Sequence, residues 1–88
     1  MKGTFRQSCA RDLKKMKDQA VLDRIRRAIE QVEGASTRQE VHDLKKISGA
    51  GNFYRIRVGD YRLGVVVEGG QVEFVRCLPR RDLYRFFP

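Results

Sequence analysis

Arginine is the residue type whose spacing in this sequence best suits it to chemistry, because three arginines are predicted to meet on one face of a β-hairpin. With Gly59-Asp60 as a two-residue turn, Arg57 lies opposite Arg62, and Arg55 lies opposite Gly64. Like charges that face each other across paired strands destabilise a sheet. The cluster therefore predicts a site for an absent polyanion, whose phosphate the guanidinium groups would bind beside the open space left by Gly64.

The charge balance supports the phosphate interpretation. The chain has 19 Lys and Arg against 11 Asp and Glu, which gives a net charge of +8, and thirteen of the 19 are Arg. Guanidinium groups bind phosphate through two parallel hydrogen bonds and stack on rings, so this bias favours nucleic acid or an acidic protein as a partner. The alternative is an ordinary solvated sheet face, whose arginines spread into water or pair with Asp60, Glu68 and Glu73.

A second basic segment, at residues 79–86, combines arginines with aromatic residues. Its arginines are Arg80, Arg81 and Arg85. Tyr84 or Phe86 could stack on an unpaired base, as rings do in the recognition of single-stranded RNA. For Phe86 and Phe87, however, the preferred interpretation is that they close the hydrophobic core, because large aromatic side chains mostly supply burial.

Few residues in the sequence suit a metal site, a phosphate-binding loop or a membrane span. A single histidine, His42, cannot build a metal site, and Cys9 and Cys77 lack the spacing of metal ligands. The Gly49-Ala50-Gly51 segment lacks the Lys-Ser or Lys-Thr of a phosphate-binding loop. No apolar run reaches the roughly 18 residues of a membrane span, and no signal-peptide segment is recognisable. We therefore expect a cytoplasmic protein, without metal, cofactor, membrane association or disulfide, that handles phosphate groups or only binds them.

The elements that must position these arginines predict a single α+β domain over residues 1–88, with helices first and an antiparallel meander after them. The predicted elements are a strand at 2–6, a helix capped by Ser8, a helix capped by Asp18 and ended by Gly34, a capping-box turn at 37–40 that continues through Val41 and Leu44, a loop at 48–52, strands at 53–58, 61–67 and 71–77, and a helical turn at 82–86. The register of the last strand stays open, and with it which of Glu73, Val75 and Cys77 share the arginine face.

Together these residues resemble the RelE/ParE superfamily of toxins from type II toxin–antitoxin systems. The resemblance runs through 5–6, 11–15, 44–49, 54–62 and 80–84, and its most specific segment is Tyr-Arg-Ile-Arg-Val-Gly-Asp-Tyr-Arg at 54–62. It implies two N-terminal helices packed on a small curved antiparallel sheet, with a short C-terminal helical turn. It also implies an endoribonuclease that cleaves mRNA in the ribosomal A site without metal, by attack of a ribose 2′-hydroxyl on the adjacent phosphate.

The resemblance also assigns roles to residues. The implied catalytic residues are Arg55, Arg57, Arg62, Arg80 and Tyr84, and the expected RNA-binding residues are Arg55, Arg57, Arg76, Arg81 and Arg85. Arg62 and Arg80 would stabilise the phosphorane, while Tyr84 would orient a base or share in proton transfer. Better-known RelE-like enzymes have lysines on the strand and many have a histidine where this chain has Pro79. The general base is therefore unassigned, because arginine stays protonated.

Two other functions stay open on the sequence. A ParE-like toxin shares the fold but blocks DNA gyrase, and a non-catalytic RNA-binding module would bind through the arginines and cut nothing. Either toxin predicts a cognate antitoxin that binds the basic face or the C-terminal turn in a hetero-oligomer. The nuclease adds mRNA and the ribosome as partners.

Overall fold

Over residues 1–47 and 51–88, which are the residues that the structure describes, the computed structural model of the protein contains three α-helices and five β-strands in an α+β fold. The elements are β1 (Lys2–Phe5), α1 (Gln7–Lys14), α2 (Gln19–Gly34), a 3-10 turn (Arg38–Glu40), β2 (Leu44–Lys46), β3 (Phe53–Val58), β4 (Tyr61–Glu68), β5 (Gln71–Pro79) and α3 (Arg80–Phe86). The predicted α+β class is confirmed, and α3 is a two-turn helix rather than a single turn.

The sheet has the order β1-β5-β4-β3-β2 and is mixed. The meander from β2 to β5 is antiparallel, whereas β1 pairs parallel with β5. The expectation of a purely antiparallel sheet was therefore wrong at this edge. Parallel pairing requires a long crossover connection, and α1, α2 and the other strands all lie between β1 and β5 in the chain.

The main core lies between the sheet and α1 with α2. In α2 the apolar residues repeat at helical spacing and form one stripe, which faces the sheet with Ile25, Ile29 and Val32 buried. Asp18 caps this helix as predicted, since its carboxylate accepts hydrogen bonds from the backbone N–H groups of Ala20 and Val21. A helix with one apolar stripe is stable when that stripe is buried. Burial of the stripe therefore fixes which side of α2 packs on the sheet.

The opposite face of the sheet carries the arginines, and α3 packs there. Leu83 and Phe87 join Val75 in a second, smaller cluster of buried residues. The Phe87 ring lies against Gly64, where an added Cβ would come within 2.7 Å of it. The expected open space at Gly64 is therefore filled. The core prediction is confirmed for Phe87 and wrong for Phe86, whose side chain is 55% exposed.

A β-bulge in β5 answers the open question of register. The pairing passes from Gly64↔Arg76 to Val65↔Phe74, so β5 has one extra residue, Val75, at this point. Val75 consequently lies on the arginine face with α3, while Cys77 belongs to the core under α1 and α2.

The predicted end of α2 at Gly34 is confirmed, whereas the predicted start of α1 is wrong. Ser8 does not cap α1, because its hydroxyl donates to the Val75 carbonyl and the helix already begins at Gln7. Gly34 is the last helical residue of α2, and the cap is Ala35 in extended conformation.

The capping box at 37–40 forms only the 3-10 turn, and Leu44 begins strand β2, which the sequence analysis missed. The predicted loop at 48–52 falls partly on residues 48–50, which lie outside the described residues.

Candidate functional site

One cavity on the α3 side of the sheet gathers the implied catalytic residues. It has a volume of about 360 Å³ and is lined by Arg55, Arg57, Arg62, Arg80 and Tyr84. We call it the arginine cavity. The structure thus brings all five side chains together, and four of the five are cationic.

The β3–β4 hairpin and helix α3 carry these residues. In the β3–β4 hairpin Arg57 pairs with Arg62 and Arg55 with Gly64, so the predicted register is confirmed. The first residue of helix α3 lies beside the turn of this hairpin, where the Arg80 backbone N–H donates to the Asp60 carbonyl over 2.8 Å. Residues four apart lie on the same side of a helix, so Arg80 and Tyr84 extend toward the cavity together.

Arg62 is the most buried member of the cavity. Its side chain is held by hydrogen bonds from Nη1 to the carbonyls of Gly59 (2.8 Å) and Tyr61 (2.9 Å), and the residue is only 8% exposed. Burial lowers the pKa of the Arg62 guanidinium, and the positive charges of Arg55, Arg80 and Arg57 lower the pKa further. Arg62 is therefore a cation held by backbone hydrogen bonds, whose charge is disfavoured by its burial and by the surrounding cations.

The other cavity residues are more exposed. Nη2 of Arg57 lies 3.9 Å from Oδ1 of Asp43, which is a long contact between exposed groups. Tyr84 is 56% exposed, which leaves its ring accessible for stacking on a base. No carboxylate lines the cavity in the described part of the chain. Its chemistry is consequently that of an anion site, in which the Tyr84 hydroxyl is the single uncharged proton donor.

The wider set of expected RNA-binding arginines is divided. Arg76 is directed to Asp12 of α1, with Nε–Oδ2 and Nη2–Oδ1 distances of 2.8 and 3.0 Å. Arg85 lies 4.0 Å from Asp82, and Arg81 is exposed on α3. None of the three lines the arginine cavity. Their role in RNA binding stays a prediction, and for Arg76 the structure offers a different one, the joining of α1 to β5.

Sequence reasoning missed a second basic feature. A groove of about 680 Å³ beside the arginine cavity lies between α2 and the hairpin turn, and Arg24 and Arg27 of α2 line it. In the sequence these two arginines lie outside the apolar stripe, which is typical of a solvated helix face. Their i, i+3 spacing shows that they share one side of the helix, but it does not show that this side meets the hairpin.

Other reactive groups offer little for catalysis. Cys9 and Cys77 are free, buried thiols, and burial raises the pKa of each to about 12, which disfavours the nucleophilic thiolate. Over residues 1–47 and 51–88, no group of three or more His, Cys, Asp or Glu side chains is close enough together to hold a metal ion. Among the same residues, no helix combines the length and apolar character needed to cross a membrane.

Comparison with known proteins identifies relatives along the whole chain. The family model for the ParE toxin of the type II toxin–antitoxin system parDE matches residues 4–84. Toxin RelE3 of Methanocaldococcus jannaschii is 38% identical over 89 residues, which cover 100% of both chains.

Solved structures agree with these matches. A chain of the RelB–RelE antitoxin–toxin complex from Methanococcus jannaschii superposes with a TM-score of 0.76 and 37% identity, over 96% of this chain and 98% of that one. A chain of the archaeal RelE–RelB complex from Pyrococcus horikoshii has a TM-score of 0.72 at 23% identity, over 90% and 93% of the two chains, and it supports the fold alone.

Proposed function

The chain belongs to the RelE/ParE superfamily of toxins from type II toxin–antitoxin systems, and on that premise we propose that it is a metal-independent endoribonuclease that cleaves mRNA, in the ribosomal A site. The observation that carries the proposal is the arginine cavity, in which a buried Arg62 is surrounded by three further guanidinium groups and one tyrosine. A cavity lined by four cations and no carboxylate suits a phosphate whose negative charge grows during reaction. Because the proposed substrate is mRNA on the ribosome, we propose that the toxin acts in the cytoplasm.

The reaction needs little covalent chemistry from the protein. The ribose 2′-hydroxyl attacks the adjacent phosphorus, the bond from phosphorus to the 5′-oxygen breaks, and the 2′-proton leaves as the 5′-oxygen gains one. Arg62 and Arg80 stabilise the phosphorane, and Arg55 and Arg57 hold the RNA backbone. Preorganised donors aimed at developing charge are the largest single contribution in many enzymes.

The proton transfers are assigned to Tyr84 or to water. Arginine is a poor base because it stays protonated, and the other side chain that lines the cavity is Tyr84. Its exposed ring also suits stacking on a base beside the cleaved bond. Positioning and charge stabilisation therefore provide most of the proposed rate enhancement.

Primer extension on translated mRNAs, minutes after induction of the toxin, tests this function. We expect new 5′ ends within codons, and we expect Arg62→Ala to lose roughly a hundred- to a thousand-fold in rate, the usual cost of removing a transition-state donor. Arg26→Ala is the matched control, because Arg26 is an exposed arginine paired with Asp23 outside the cavity. Cleavage at the wild-type rate by Arg62→Ala would contradict the assignment.

A ParE-like inhibitor of DNA gyrase is the second candidate, and the match to the ParE toxin family model favours it. Growth arrest with intact mRNA and gyrase-dependent DNA damage would support this candidate instead of the nuclease. Salt-sensitive RNA binding without new 5′ ends would support a non-catalytic RNA-binding module.

We also propose a cognate antitoxin as partner, since the solved chain that is 37% identical comes from a RelB–RelE antitoxin–toxin complex. An acidic or helical antitoxin segment over the arginine cavity or α3 would relieve the repulsion among the arginines. A purified toxin–antitoxin complex that contacts neither Arg55, Arg57 and Arg62 nor α3 would contradict this binding mode.

A further inference from the structure

The groove between α2 and the hairpin turn, here called the α2–hairpin groove, is a continuation of the arginine cavity. The two share the side chains of Arg57, Arg62 and Arg80. Arg24 and Arg27 add two cations on the far side, so one basic surface extends from Tyr84 across the hairpin to α2. A nucleic-acid strand bound in the cavity would continue along this groove.

Arg24 and Arg27 are available to an anion. Both are exposed, and within the described ranges neither forms an ion pair with a carboxylate, whereas their neighbour Arg26 pairs with Asp23. Residues three apart on a helix share one side, which here is the side that lines the groove.

The hairpin turn allows Arg24 to approach closely. Gly59 has a φ of +59°, and a Cβ at this position would lie 2.8 Å from Nη1 of Arg24. The absence of a side chain therefore serves the left-handed turn and the position of the guanidinium at the same time. Arg24 consequently lies over the turn whose carbonyl, that of Gly59, accepts a hydrogen bond from Arg62.

The composition of the groove favours RNA over an acidic protein segment. Five guanidinium groups and two carboxylates, Asp43 and Asp60, line it, and its apolar side chains are only Ala28 and Val58. The groove therefore has an excess of positive charge along its length, which suits an extended polyanion. A protein segment would also lack a large apolar pocket for an anchoring side chain.

We propose that the α2–hairpin groove is a second phosphate subsite, in which Arg24 and Arg27 bind the RNA backbone next to the phosphate held in the arginine cavity. The subsite rests on the RNA-binding part of the proposed function, but it does not depend on cleavage. It extends the RNA path from the cavity onto α2.

Salt-dependent binding of an uncleavable RNA tests the subsite. Fluorescence anisotropy would give the Kd of an oligouridylate with 2′-O-methyl riboses over a range of KCl concentrations, for the full chain and its variants. Each phosphate contact to single-stranded nucleic acid contributes about 0.7 to the slope of log K against log [salt]. We therefore expect Arg24→Gln/Arg27→Gln to reduce the slope by about 1.4.

Two variants control for fold and for general charge. Arg26→Gln removes one positive charge from the same helix outside the groove, and it should leave the slope close to that of the wild type. Arg24→Lys/Arg27→Lys keeps both charges and should restore most of the slope, because the slope counts neutralised phosphates.

The outcomes separate the subsite from the proposed nuclease. A slope that is unchanged in the double glutamine variant, or RNA binding too weak to measure in the wild type, would overturn the subsite. Loss of binding to an oligoglutamate peptide, with RNA binding intact, would overturn it in favour of a protein-binding groove. If primer extension shows no cleavage but the double variant still loses slope, the nuclease fails and the subsite stands.

Discussion

Among single residues, Arg62 has the most unusual surroundings. It is buried and hydrogen-bonded to backbone carbonyls, while Arg55, Arg57 and Arg80 disfavour its charge. Because the residue is only 8% exposed, solvent screens its charge less than that of a surface arginine, and we expect the repulsion to reduce the free energy of unfolding.

Substitution of Arg55 tests whether the arginine cluster lowers the free energy of unfolding while it supports RNA cleavage. Arg55 is the neighbouring charge that lowers the pKa of Arg62 most, so Arg55→Gln should raise that pKa toward its ordinary value. We expect the free energy of unfolding to increase by about 0.5 kcal/mol, as for relief of a cross-strand like-charge pair, while RNA cleavage slows.

Urea denaturation measures the change in stability. Arg6→Gln is the control, since Arg6 is ion-paired with Glu73 and its removal should leave stability the same or slightly lower. Destabilisation by Arg55→Gln equal to that of the control would show that no repulsion is stored in the cavity.

Among the elements, α3 decides whether the cavity is complete. It carries Arg80 and Tyr84, and it is held on the sheet by Leu83 together with Phe87, which packs on Gly64. The position of two proposed catalytic side chains thus depends on one small cluster of apolar residues. Changes under α3 should consequently alter cleavage as well as stability.

Gly64→Ala tests the seat of α3. An added Cβ would lie 2.7 Å from the Phe87 ring, so the ring must move and α3 with it. We expect a loss of about 1–3 kcal/mol of stability, typical of overpacking, and a clear loss of cleavage by the folded fraction. Gly34→Ala is the control, because nothing lies within 4 Å of a Cβ there and a helical Ala should stabilise by up to about 1 kcal/mol. Unchanged cleavage in folded Gly64→Ala would mean that the position of Phe87 is irrelevant to the site.

The contact between α1 and β5 depends on Asp12. Its carboxylate, 8% exposed, accepts hydrogen bonds from Arg76 and from the Cys77 backbone N–H. Asp12→Asn should cost about 3 kcal/mol, because it leaves Arg76 without its countercharge in a partly buried position. Thermal or urea unfolding measures this cost, and Asp23→Asn, which breaks an exposed pair with Arg26, should cost under about 1 kcal/mol. Equal costs for the two variants would contradict a structural role for the buried pair.

For the whole molecule, the charge of +8 on 88 residues links stability to bound anions. Because a domain of this size has a small entropy of unfolding, a ligand that binds only the folded state raises its Tm by several degrees. Phosphate at about ten times its Kd should stabilise the fold by roughly 1.4 kcal/mol, or about 6–11 °C in Tm.

Thermal melts in sodium phosphate and in sodium chloride of equal ionic strength measure this effect. We expect the larger increase in Tm with phosphate, and we expect Arg62→Ala to lose most of the difference. Equal increases in the two salts would indicate general screening rather than a phosphate site.

The sequence by itself determined what depends on neighbours along the chain. The alternation in β3 and the Gly59-Asp60 turn were enough to set the pairing of Arg57 with Arg62, because hairpin register depends on turn length and side-chain period. The same holds for the Asp18 cap and the buried stripe of α2. The proposed catalytic residues were named from a family resemblance, and their gathering in one cavity agrees with it.

Only the tertiary structure decided what depends on distant segments. The parallel pairing of β1, the Val75 bulge, the turning of Arg76 to Asp12 and the packing of Phe87 on Gly64 each join residues that are more than ten positions apart or lie in different elements. So does the groove that brings Arg24 and Arg27 to the hairpin. Such contacts follow from how the faces of several elements fill one small core, and local periodicity shows which face of an element is apolar but not which partner covers it.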